Sequence, residues 1–116
     1  ALMAESDVVS LHVPLTDDTR HLIDTRRIDT MKRGAILINT ARGGIVNEAA
    51  LAAALRSGRL AGAALDVFAD EPLPAGSTLA EVPNLILTPH IGGVTLESNA
   101  RVSSMIAERV TQFLTR

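Results

Sequence analysis

Four short apolar runs, each ending at a polar or glycine-containing stretch, set the rhythm of this chain: Val8–Val13, Ala35–Asn39, Leu60–Val67 and Leu85–Leu87. Their length and their Val, Ile and Leu content predict strands, and their nearly unbroken apolarity predicts strands buried on both faces. Helix-length segments fall between and beside them. Leu2 to Ser6 reads as the tail of a helix whose beginning is absent. Asp24 to Met31 makes a short helix stopped near Gly34. Asn47 is placed to cap a helix carried by Ala49 to Ser57, with Glu48 in the first turn, where the helix dipole favours negative charge. Gly58 stands where a left-handed C-cap is expected. Phe68 to Pro83 holds three prolines and a glycine and is predicted to be a loop. The longest helix runs from Thr95, its N-cap, to Leu114. It places Leu96, Ala100, Ser103, Ile106, Ala107, Val110, Phe113 and Leu114 on one face, as a packing surface. Strands alternating with helices, at the spacing of right-handed crossovers, give an α/β fold: a parallel sheet covered on both sides.

Composition narrows the function classes. The 116 residues are 47% apolar and 21% charged, which suits one packed body with no internal repeat or linker. Only Phe68 and Phe113 are aromatic, so the core must be built from Ala, Val, Leu and Ile. A net charge of −2 gives no electrostatic case for nucleic acid or an anionic membrane. No apolar run reaches the length of a membrane span. The absence of cysteine excludes disulfides and thiolate metal sites, and suits a reducing cytoplasm. A dinucleotide site needs G-x-G-x-x-G after its first strand, and neither glycine pair here fits that pattern. Either the chain does not bind a dinucleotide, or the phosphate-gripping half lies upstream of Ala1.

Candidate chemistry gathers after the strands. Arg42, Glu71 and His90 each follow a separate strand, and in a parallel sheet the carboxyl ends of the strands lie along one edge, where ligands bind. Arginine can grip a carboxylate through two parallel hydrogen bonds. Histidine can give or take a proton near neutrality, and a carboxylate on its far nitrogen would fix the tautomer. The set suits chemistry on a carbonyl or hydroxyl beside a carboxylate, without a nucleophile or a metal shell. Hydride from a nicotinamide would supply the missing reactant. Taken singly, each residue has a plainer reading: Glu71 as a solvated loop charge, His90 as a turn histidine, His21 as surface. Asp66, near the end of an apolar strand, needs hydrogen-bonding partners wherever it sits. Arg26, Arg27, Arg56, Arg59, Arg101 and Arg109 read as ordinary solvated charges on helices.

The stretches SDVVSLHVPLT, GAILINTARGGIVNE, LAGAALDVFADEPLP and NLILTPHIGG resemble, in order and spacing, consecutive signatures of the D-isomer-specific 2-hydroxyacid dehydrogenases, the phosphoglycerate dehydrogenase-like group. The resemblance covers nearly the whole chain. It implies the C-terminal part of an NAD-binding domain: the second half, about four strands, of a Rossmann-type doubly wound sheet, with a long C-terminal helix. By that resemblance Arg42 binds the substrate carboxylate, and His90, partnered by Glu71, is the general acid or base. Asp66 holds the nicotinamide carboxamide, with Thr40, Ala41, Gly92 and Gly93 nearby, while His12, Val13, Pro14 and Thr16 line the cofactor wall. NAD is the implied cofactor, NADP is not excluded, and a homodimer is the implied assembly. The isolated chain is expected to bind cofactor weakly, because the phosphate half is absent. A second reading, from another class, is an NAD(H)-sensing binding module or corepressor without significant turnover.

Overall fold

The computed structural model describes residues 1–115. Its elements are α1 (Leu2–Glu5), β1 (Val8–Leu11), α2 (Thr25–Thr30), β2 (Ile36–Asn39), α3 (Glu48–Arg56), β3 (Gly62–Leu65), β4 (Leu85–Leu87) and α4 (Leu96–Leu114). The four strands form one parallel sheet in the order β1-β2-β3-β4, with Val8, Ile36 and Gly62 in register at its start. All four carboxyl ends therefore face the same edge.

The expected caps are in place. Asp24, Asn47 and Thr95 each accept the backbone N–H three residues on, which satisfies a donor that the first turn leaves free. Gly58 takes a positive φ of 70° just beyond α3. The core lies between the sheet and the pair α2–α3. Leu37 and Leu65 from the strands meet Ile28, Leu51 and Leu55 from the helices, all buried.

Three expectations are corrected. The sheet is covered on one face only: Val9, Leu11, Leu37, Ala63 and Leu65 are buried, whereas Val8, Ile36 and Ile86 on the other face are 51%, 39% and 67% exposed. Apolarity on both sides of a strand says that both faces want cover, and not which segment of chain provides it. Helix α4 has no buried residue, so its apolar stripe packs on nothing within these residues. The strands are also shorter than their apolar runs. β1 stops at Leu11, leaving His12 and Val13 on the rim, and β3 occupies only Gly62–Leu65 of Leu60–Val67.

Three arginines that read as solvated charges are structural. Arg59 donates through Nη2 to the carbonyls of Asp29 (2.8 Å) and Met31, holding the end of α2. Arg56 donates to the carbonyls of Thr78 and Ala80 at 3.2 and 3.3 Å, pinning the long loop against α3. Arg27, likewise, donates to the Leu22 carbonyl at 2.7 Å.

The turn after β2 and the loop after β3 touch at Gly43. A Cβ placed there would lie 1.6 Å from the Phe68 carbonyl oxygen, inside any allowed contact. Gly43→Ala should therefore destabilise the fold by about 3 kcal/mol or more, since backbone has to move. Gly76→Ala, at a positive φ of 78° in open space, should cost only about 1 kcal/mol. Urea denaturation midpoints of the two variants check the difference.

Candidate active site

Glu71 and His90 come from different loops and meet. His90 Nδ1 lies 2.7 Å from Glu71 Oε2, and the other carboxylate oxygen accepts the Phe68 N–H at 3.0 Å. Both oxygens of Glu71 are thus in use, which fixes the plane that the imidazole faces. The hydrogen bond from His90, then that from Phe68, holds the Glu71 carboxyl below its ordinary pKa, against a small opposing effect of burial. With Nδ1 turned to Glu71, Nε2 is the ring nitrogen left for other chemistry. The Glu71–Pro72 peptide bond is cis.

His90 is held in an uncommon backbone state, with φ at 55°. Such left-handed geometry is costly for a residue with a Cβ and persists where the surroundings over-determine it. Asp66 supplies that determination. It is buried at 5% exposure, as its place at the end of an apolar strand requires. Its Oδ1 accepts from Thr88 Oγ1 (2.6 Å) and the Ile91 N–H (2.9 Å), and its Oδ2 from the Gly92 N–H (2.8 Å). The bond from Thr88 is the chief reason that its pKa is lowered. Burial works the other way, and the Ile91 and Gly92 amides and nearby His90 add to the lowering. A Cβ at Gly92 would come within 2.9 Å of Oδ2, so this close approach needs glycine.

Arg42 stands on the neighbouring turn. Its Nη1 donates to the Ala41 carbonyl at 2.6 Å, and among the described residues it forms no ion pair with Glu71. The turn itself is set by Asn39, 1% exposed, whose Nδ2 donates to the Arg42 carbonyl and whose Oδ1 accepts from the Ala41 N–H, both at 3.0 Å.

Two clefts open at this rim. One, of about 480 Å³, is lined by Phe68, Glu71, Pro72, Leu73, Leu87, Thr88, Pro89 and His90. The other, of about 510 Å³, is lined by His12, Val13, Pro14, Leu15, Thr40, Ala41 and Arg42. The contact of Gly43 with Phe68 ties the turn of the second cleft to the wall of the first. Thr16 lies outside both, bonded within its own turn to Thr19. Gly93 has open space around its α-carbon. His12 carries a bond of its own, Nε2 to Ser10 Oγ at 2.9 Å.

Asn39, Thr88 and Glu48 shape the rim and were not singled out as site residues from the sequence. An asparagine closing an apolar strand was a readable signal, because a buried amide there must bond to something nearby. Thr88 and Glu48 gave no comparable sign, since their partners are 22 and 21 positions away.

Residues 1–92 match the family model described as "D-isomer specific 2-hydroxyacid dehydrogenase, NAD binding domain". The chain is 58% identical over 113 residues to (S)-sulfolactate dehydrogenase of Chromohalobacter salexigens, spanning 97% of this chain and 37% of that protein. It is 48% identical over 113 residues to glyoxylate reductase of Thermofilum pendens, spanning 97% of this chain and 33% of that one. Among solved structures it is similar to the D-lactate dehydrogenase of Aquifex aeolicus complexed with NAD and lactic acid. That match has a TM-score of 0.86 at 40% identity, over 98% of this chain and 39% of the other. A D-isomer specific 2-hydroxyacid dehydrogenase of Xanthobacter autotrophicus Py2, in complex with NADPH and MES, matches at a TM-score of 0.85 and 43% identity, over 97% and 46%. The chain spans roughly a third of the length of these curated relatives.

Because the carboxyl of Asp66 is held below its ordinary pKa in the fold, its contribution is complete above an ordinary aspartate's pKa of about 3.9 and is lost as pH falls through the lowered value. Asp66→Asn turns one acceptor oxygen into a donor facing backbone N–H groups. It should cost on the order of 2 kcal/mol at pH 7. The gap to the unmutated protein should close as pH drops below about 4, read from urea midpoints across that range.

Proposed function

Because the chain belongs to the D-isomer specific 2-hydroxyacid dehydrogenase family, within its NAD-binding domain, we propose that it is the C-terminal part of that domain in a longer enzyme. That parent enzyme interconverts a 2-hydroxy acid and a 2-oxo acid. The observation that carries the reading is the Glu71–His90 pair: an imidazole held at 2.7 Å by a carboxylate whose other oxygen is itself anchored. The arrangement suits a proton donor and acceptor better than a structural histidine, which has no need of a doubly bonded partner at an exposed rim.

The residues present suit the nicotinamide end of the cofactor. Val13, Pro14 and Ala41 give the second cleft an apolar wall for a flat ring, beside the polar Thr40 and Arg42. The G-x-G-x-x-G segment for the pyrophosphate is not in the chain. When bound, NAD or NADP would supply the hydride acceptor or donor. Asp66 serves the site chiefly through the loop it holds. Oδ2 accepts a single bond, so it is the oxygen on which a carboxamide N–H would fit.

In this reading Arg42 turns its guanidinium from the Ala41 carbonyl to the substrate carboxylate and polarises the adjacent C2 oxygen. His90, through Nε2, gives a proton to that oxygen in reduction and takes it back in oxidation. Glu71 keeps Nδ1 protonated and stabilises the imidazolium as it forms. The family resemblance carries with it a homodimer, and the lack of cysteine suits a reducing cytoplasm.

In the parent enzyme, Arg42→Ala should lower kcat/KM for glyoxylate about a hundredfold, the loss of roughly 3 kcal/mol that follows removal of a charged partner. The exposed Arg33→Ala should leave it unchanged within about twofold. Equal effects of the two changes in steady-state assays would show the assignment of Arg42 to be wrong. NADH binding without measurable turnover on any 2-oxo acid would instead point to a sensor. The 116-residue chain alone should show no micromolar NADH affinity, read from nicotinamide fluorescence.

A further inference from the structure

The loop that carries Glu71 runs through no helix or strand, yet its carboxylate must stay aimed at His90. Local bonding explains part of this, since Phe68 N–H donates to Glu71 Oε1. That bond lies within the loop and cannot fix where the loop sits. Farther along, Arg56 holds the loop at Thr78 and Ala80, and the Phe68 side chain is buried in the core. Beside Glu71 itself, two backbone contacts reach outside the loop. Gly43 abuts the Phe68 carbonyl, and the Ala69 N–H donates to Glu48 Oε1 at 2.7 Å. Glu48 is the first residue of α3, a helix capped by Asn47 and packed through Leu51 and Leu55 into the core. The bond therefore ties a loop segment to a rigid element.

Resting on the acid–base reading above, we infer that Glu48 is a positioning residue for the Glu71–His90 pair, holding residues 68–71 through the Ala69 amide. Glu48 touches neither ring nor carboxylate of the pair and is not a catalytic residue. A second job is open to the same side chain, because a first-turn carboxylate also complements the helix dipole. The two jobs separate by chemistry. The dipole needs the charge and tolerates a shorter side chain, whereas the amide bond needs the reach and tolerates a neutral oxygen.

Two conservative variants of the parent enzyme separate them, each suited to a helical first turn. Glu48→Gln keeps the reach and an acceptor oxygen. Glu48→Asp keeps the charge and withdraws the carboxylate by about 1 Å. Glu48→Asp should lower kcat with glyoxylate about tenfold, as small misplacements of catalytic groups do. It should leave NADH affinity unchanged and weaken the downfield His90 Nδ1 proton resonance. Glu48→Gln should stay within about twofold of the parent and keep the resonance. The inference is overturned if Glu48→Asp keeps both turnover and resonance, or if Glu48→Gln loses as much as Glu48→Asp. His90→Gln, measured alongside, guards the premise. Full turnover in that variant overturns the acid–base reading and this inference with it, whereas the first two outcomes overturn this inference alone.

Discussion

A single buried carboxylate organises the rim of this sheet. Asp66 cannot face water, so its charge has to be met by donors. The nearest are Thr88 and two successive amides of the loop after β4. Meeting that demand curls residues 88–92 around the carboxylate and forces His90 into left-handed geometry. The imidazole is then presented to Glu71. A desolvation constraint on one residue thus becomes the aim of another, 24 positions along the chain.

The same logic repeats on the neighbouring strand with a neutral group. Asn39 is buried where β2 ends, and it satisfies both faces of its amide with the backbone of the Arg42 turn. At two strand ends a buried polar side chain thus shapes a rim loop: Asn39 the turn after its own strand, and Asp66 the loop after the neighbouring β4. The functional side chains sit on those loops, three residues past β2 and three past β4.

Much of this was readable from the residues. Parallel strands, caps at Asn47 and Thr95, and the long loop follow from apolar runs and from where polar residues interrupt them, whereas the pairing of Glu71 with His90 was expected from the family resemblance. What could not be read falls into two kinds. Partners distant in sequence leave no local mark, so Glu48 looked like a dipole residue and Arg56 like a solvated charge. The second kind is packing that the chain does not itself complete: runs apolar on both faces predicted a sheet covered twice, but Val8, Ile36 and Ile86 stay open. Arg42 is an intermediate case. Its turn lies where the strand pattern put it, beside the Glu71 loop, yet its guanidinium is folded back on Ala41.

Helix α4 leaves the body with none of its residues buried, and it spans 19 residues, about 28 Å of rod. Mass carried that far out dominates the hydrodynamics. The radius of gyration is 17.3 Å, where a compact chain of this length would have about 13 Å. Any standard that assumes a sphere would overstate the mass of this chain. A gel-filtration volume corresponding to a larger protein would therefore speak of shape before it spoke of association.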